Sequence, residues 1–195
     1  MLFRSTFLIC TLAGSTLFTS VGIFIQGTPE FGKEYDISPL PTGAMAVVMY
    51  YLGAAPAEII AGLLSKKLKS RKKPMYVFYA IQLLSIILFC IPTQSIEIFY
   101  LKCWFLGLSL GYWTLLITTS AEQFGINIRG TAATAIPNVA RAWSIPFSIL
   151  FTTIKPHFGL VNSGLVIGLI VVALALLSAS QLKETFENDA NFVEK

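Results

Sequence analysis

Lys66–Lys67–Leu68–Lys69–Ser70–Arg71–Lys72–Lys73 is the densest run of charge in the chain, and it separates two long apolar stretches, residues 42–64 and 74–91. A cluster of cations between two bilayer-length apolar segments reads as a short loop on the cytoplasmic side of a membrane. Working outward, further apolar stretches occupy residues 6–26, 98–120, 130–154 and 160–180. Each is near the roughly 20 residues that a helix needs to cross a bilayer. The expected fold is therefore all-α: a polytopic membrane protein with six transmembrane helices over residues 1–183. A polar tail, residues 184–195, follows the last span.

Composition agrees. The chain is 55% hydrophobic and 12% charged, with a mean hydropathy of +0.72, whereas a soluble domain carries about 25% charged residues. No alternation of the kind a membrane β-barrel shows is present. The net charge of +4 does not point to nucleic acid, because six of the 14 basic residues lie in one loop. Cys10, Cys90 and Cys103 lie within or at the edges of apolar stretches and read as packing residues. With His157 the lone histidine, no metal site and no cofactor is expected. Residues 1–26 are too long and lack the cleavage site of a secretory signal, so they read as a first span.

Orientation follows from the cations. With the N-terminus inside, Arg4, the six of the loop, Arg129, Lys183 and Lys195 fall inside, against Lys33 and Lys155 outside. Both termini are expected to be cytoplasmic, in a multi-pass protein of a cell membrane such as the bacterial inner membrane. Lys102 and Arg141 fall within spans. Lys102 is close enough to an end to snorkel.

An ionisable side chain in a span costs about 2.5–3.5 kcal/mol on insertion scales, so each is informative. Thr131, Thr134, Asn138, Arg141 and Ser148 share one stripe of the fifth expected helix, which Pro137 and Pro146 interrupt. Such a stripe suits the wall of an aqueous cavity, with Arg141 as its fixed cation; the other reading is a structural ion pair. Glu58 stands two turns from the basic loop, either as partner of a loop cation or as a proton-carrying carboxylate. Gly107 and Gly111 permit close helix approach. Tyr112 and Trp113 beside them suit either substrate stacking or core packing. Gln26 and Thr28, at the exit of the first span, are further cavity candidates. No nucleophile elbow, His-Glu-x-x-His pattern or intramembrane histidine is present, so no enzyme is expected.

Gly111–Tyr112–Trp113, Ala121–Glu122 with Arg129–Gly130–Thr131, and Pro137–Asn138–Val139–Ala140–Arg141 together resemble the connection between fourth and fifth helices in one half of a major facilitator superfamily (MFS) transporter. Gly62–Leu63–Leu64–Ser65 with Lys69–Ser70–Arg71–Lys72–Lys73 is similar to that superfamily's Gly-x-Leu-x-Asp-x-x-Gly-Arg-Arg loop. Here Ser65 replaces the Asp, and the loop Gly is missing. Leu182–Lys183–Glu184–Thr185 resembles the Pro-Glu-Thr motif after the final helix, with Lys183 in place of the proline. The resemblance implies the C-terminal six-helix half of a twelve-helix secondary transporter. It gives Glu58, Arg71, Glu122 and Arg129 gating roles at the cytoplasmic face, and sets Asn138 and Arg141 on a cavity-lining helix. The implied function is transport of a small solute by alternating access, with a coupling proton or ion, incomplete without an N-terminal half or a second copy. The alternative is a structural or regulatory membrane subunit, or a truncated gene product.

Overall fold

The computed structural model describes residues 2–186, the side chains of residues 2–4 and of Phe18 excepted. The Arg4 side chain, Lys195 and the expected tail beyond Phe186 therefore lie outside the described residues. The described chain is helical throughout, with no strand. Five helical runs are long and apolar enough to cross a bilayer: Ser5–Ile25, Gly43–Leu68, Lys72–Phe89, Ile96–Glu122 and Leu160–Gln181.

The first run is broken in two places. Helix α1 (Leu2–Ala13) ends at Gly14, and α2 (Ser15–Ser20) passes into a π-helical turn, Val21–Ile25. Glycine is required at position 14. A Cβ there would lie 2.8 Å from a Leu116 methyl and 2.9 Å from the Ala140 Cβ. The segment that follows contains a short helix α3 (Thr28–Glu34), whose start carries Pro29 where a missing N–H costs nothing.

Helix α4 (Gly43–Leu68) opens on Thr42, whose hydroxyl accepts from the Met45 N–H at 3.4 Å. It runs a turn further than the sequence suggests, because Lys66 and Lys67 sit favourably on the negative end of the helix dipole. It ends at Lys69, in left-handed conformation with φ of +45°. The basic loop thus shrinks to three residues, 69–71, before α5 (Lys72–Phe89).

The next run consists of α6 (Ile96–Leu108) and α7 (Gly111–Glu122), offset at Ser109–Leu110. Gly107 lets α6 meet α4 backbone to backbone: a Cβ would fall 1.9 Å from the Tyr50 carbonyl oxygen. Gly53 does the same from the α4 side, against the Trp104 carbonyl. Gly111 serves a different contact, the Phe78 ring of α5.

The fifth expected span is a broken pair, α8 (Arg129–Ala142) and α9 (Ser144–Phe158), of 14 and 15 residues. Of its two prolines, only Pro146 coincides with the break. Pro146 has no N–H for the Ala142 carbonyl, and its ring crowds that oxygen. Pro137 is accommodated inside α8. Gly159, at φ of +78°, reverses the chain into α10 (Leu160–Gln181).

Helix α5 ties the interior together. Its Tyr79 hydroxyl donates to the Ala13 carbonyl at 2.8 Å, at the Gly14 break. Its Gln82 amide donates to the Thr16 carbonyl and the Ser20 hydroxyl, at 3.3 and 2.8 Å. An aromatic cluster of Phe24, Phe31, Phe89, Phe99 and Tyr35 fills the end remote from the basic loop. There Phe31 and Phe89 meet edge to face at 5.2 Å, and the Tyr35 hydroxyl donates to the Phe89 carbonyl at 3.1 Å. Large apolar side chains cover much of the exterior. Helix α4 alone exposes Val48, Tyr51, Leu52, Ile59, Ile60 and Leu63.

Candidate functional site

Two polar assemblies stand out in this apolar molecule. The first gathers at the end where α4 turns into α5. Lys69 in its left-handed conformation closes that turn, and the buried Ser65 hydroxyl donates to the Ser70 carbonyl at 2.9 Å. The turn aims Arg71 at the end of α7. Arg71 Nη2 donates to Glu122 Oε1 at 2.8 Å and its Nε to Oε2 at 3.3 Å, a two-pronged pair. The third nitrogen, Nη1, donates to the Ser65 hydroxyl at 3.2 Å.

Residues after the last helix complete the assembly. The Glu184 carboxylate accepts from the Arg71 backbone N–H at 2.8 Å, from that of Lys72 at 3.3 Å and from the Ser70 hydroxyl. It therefore caps the first turn of α5, where N–H groups lack helical partners and the dipole favours an anion. Burial pushes the Glu184 carboxyl upward, but the Ser70 hydroxyl and the N–H groups of Arg71, Lys72 and Phe186 outweigh it and hold the group down, at about 2. The Thr185 hydroxyl donates to Glu122 Oε2, the Arg71 guanidinium lies 5.3 Å from the centre of the Phe186 ring, and Lys72 Nζ donates to the Leu182 carbonyl at 2.6 Å. A loop, the end of α7 and the chain after α10 are thus held in one clasp.

Of the four residues expected to form a charge network here, Arg71 and Glu122 meet. Arg129 does not join them: its Nε donates to the Phe124 carbonyl at 3.4 Å, and its Nη2 is buried without a hydrogen-bond partner. Glu58 is half-buried in α4 and forms no ion pair among the described residues. The clasp draws in Ser65, Ser70, Glu184 and Thr185, which reasoning from charge in or near the spans passes over. The signal for the last two was the weak tail motif around Glu184.

The second assembly is the stripe on α8. Thr131, Thr134, Asn138 and Arg141 are all exposed. Arg141 Nη1 donates to Asn138 Oδ1 at 3.2 Å, and Asn138 Nδ2 donates to the Thr134 carbonyl at 2.9 Å. The Thr134 hydroxyl is within reach of the Gly130 and Thr131 carbonyls, both at 3.1 Å. The stripe stops at the helix break, where the Ser144 hydroxyl donates to the Arg141 carbonyl at 2.7 Å. Past the break the surface turns apolar, with Ile145 and Ile149 about 60% exposed.

The aromatic candidates divide. Tyr112 is a packing residue, fully buried, its ring centre 4.8 Å from that of Tyr79 and its oxygen accepting from the Thr16 hydroxyl at 2.6 Å. It is not available for stacking on a solute. Trp113 is half-buried, beside Gly14. Gln26 is exposed at the end of the π-helical turn, while Thr28 is buried with its hydroxyl on the Phe24 carbonyl at 3.4 Å. Lys102 caps the Ile91 carbonyl and lies 5.7 Å from the centre of the Tyr35 ring, so its charge is spent at the helix end.

No protein-family model matches the chain, and no curated protein matches it.

Proposed function

We propose that this chain is one six-helix half of a secondary transporter of the MFS kind, moving a small polar solute by alternating access. It sits in a cell membrane with both termini cytoplasmic. The broken pair α8–α9 is its fifth span, and α8 lines a solute cavity closed by a second six-helix unit. The observation that carries this reading is the exposed row Thr131, Thr134, Asn138 and Arg141 on a molecule that exposes many large apolar side chains. In lipid the guanidinium alone would cost about 2.5–3.5 kcal/mol; facing an aqueous cavity it costs little and gives a solute its fixed cation. A helix broken at depth is tolerated where it borders protein or water.

The clasp around Arg71 and Glu122 supports the same reading from the other end. It fastens the α4–α5 turn, the end of α7 and the chain after α10 into one body, as suits a six-helix unit that rocks as a whole against its partner. The Arg71–Glu122 pair, with side chains about a quarter exposed, contributes on the order of 1 kcal/mol to that fastening.

The direct test is reconstitution of the purified chain in vesicles, alone and with a candidate six-helix partner, followed by uptake from a solute panel. Saturable uptake with the partner, abolished by Arg141→Ala, is expected. Binding of the same solute with equal affinity by wild type and folded Arg141→Ala would remove the stripe from the site.

A further inference from the structure

We propose that Lys66, Lys67, Lys69 and Lys73 form a docking surface for the phosphate headgroups of anionic phospholipids in the adjoining leaflet. The fold divides the six cations of the basic run into two sets. Arg71 and Lys72 turn inward and are engaged by Glu122 and by the Ser180 and Leu182 carbonyls at the end of α10. The other four remain exposed, and none enters an ion pair among the described residues. The nearby carboxylates are already engaged: Glu122 holds Arg71 and Thr185, and Glu184 caps α5. Among the described residues, what is left is a positive patch with no carboxylate paired to it.

Its depth is set by its neighbours. Leu68, in the midst of the lysines, is 38% exposed, and Leu63, one turn earlier on α4, is 62% exposed. Apolar side chains pointing outward beside lysines place this turn at the boundary between acyl chains and headgroups, where lysine stems lie along the lipid and the ammonium groups reach the phosphates. Lys73 adds a reason for an external anion. It stands in the first turn of α5, where the dipole disfavours a cation. A basic cluster immediately beside a span gains about fivefold in affinity for an anionic surface per lysine. A lipid bound here would grip both ends of the turn that carries Arg71, and so steady the clasp. The inference rests on the membrane reading, and its test separates the two.

The purified chain is placed in lipid nanodiscs of phosphatidylcholine alone, or of phosphatidylcholine with phosphatidylglycerol, and its thermal unfolding is followed. A higher unfolding temperature with phosphatidylglycerol is expected, diminishing as salt is raised. The quadruple variant Lys66→Gln, Lys67→Gln, Lys69→Gln, Lys73→Gln should lose that gain while unfolding as wild type does in phosphatidylcholine. Lys33→Gln, remote from the patch in sequence, should keep it. Competition between labelled lipids should show each single Lys→Gln change lowering the preference for phosphatidylglycerol by about fivefold. Equal unfolding in the two lipid mixtures would overturn the proposal and leave the spans intact; failure to enter any nanodisc would overturn the membrane reading itself. An equal gain from soluble glycerol 3-phosphate would make this a phosphate site and refute lipid docking. A phosphatidylglycerol gain seen only in a chain cut after Phe186 would make the tail the occupant and refute it as well.

Discussion

Arg71 and Glu184 occupy the same clasp but do different work, and substitution should separate them. Arg71 supplies a two-pronged grip on Glu122, with side chains about a quarter exposed. Arg71→Lys keeps the charge but not the planar fork, so stability should drop by about 0.5–1 kcal/mol, read as a shift in denaturation midpoint. Glu184 is a cap, and Glu184→Ala should cost about 1 kcal/mol by exposing the N–H groups of Arg71 and Lys72. The pH dependence has a definite sign. The carboxyl falls from an ordinary 4.5 to about 2 in the folded chain, so its stabilising effect is complete above about 4.5 and is lost as pH falls through about 2. The stability difference between wild type and Glu184→Ala should be constant at neutral pH and shrink over that acid window. A difference that persists unchanged below pH 2 would show that the carboxylate is not the cap. Arg141→Ala makes the complementary case. The residue is exposed, so the chain should insert and unfold as wild type while solute binding by the completed transporter disappears.

Helix contacts set a sharper constraint than any single polar group. Gly53 and Gly107 bring α4 and α6 into backbone contact, so Gly107→Ala should prise them apart and destabilise by about 1–3 kcal/mol. Gly62, in the same helix α4, has nothing within 4 Å of a built Cβ. Gly62→Ala should be neutral or raise stability by up to about 1 kcal/mol, since glycine weakens a helix interior. Similar melting of the two variants would contradict the packing. Most of these helices were legible from apolar run length alone, because each run is near the length that a bilayer crossing needs. The breaks were less so. Pro146 marked one, yet Pro137, equally conspicuous, lies inside α8. The breaks at Gly14 and Ser109–Leu110 depend on which neighbours press on those residues, which no single run of sequence reveals. In the candidate site, the α8 stripe could be read from charge and spacing, whereas Arg71 and Glu122 came to notice only through the family resemblance. Tyr112 could not be assigned to the core without knowing that Thr16 and Tyr79 meet it. Arg129 and Glu58 show the same limit from the opposite side: charge density near a membrane face does not say which pairs close.

The chain as a whole presents its polar stripe on an outer face; on the transporter reading proposed above, a single copy would have one wall of a cavity and no opposing wall. Reconstituted alone, it should show no saturable uptake of any solute; uptake by the lone chain would favour a carrier made of two identical copies. Sidedness can be measured in a Cys90→Ser background, Cys10 and Cys103 being buried. Both probe positions are exposed. Glu34→Cys should react with an impermeant reagent from outside, and Lys67→Cys only after permeabilisation. The reverse pattern would invert the topology. The capping of α5 by Glu184, across 113 positions of sequence, also bears on how the protein is made. When the turn after α4 leaves the ribosome, its anion has not been translated, and it stays unmatched through the synthesis of every later helix. Closure of the clasp therefore reports that α10 and the residues just after it have been made, and a nascent chain halted at Gln181 would have α1 to α10 yet lack the means to lock. Quality-control proteases that sense loose membrane-surface turns should clear such a product, or an Arg71→Ala full-length chain, faster than wild type in a pulse-chase.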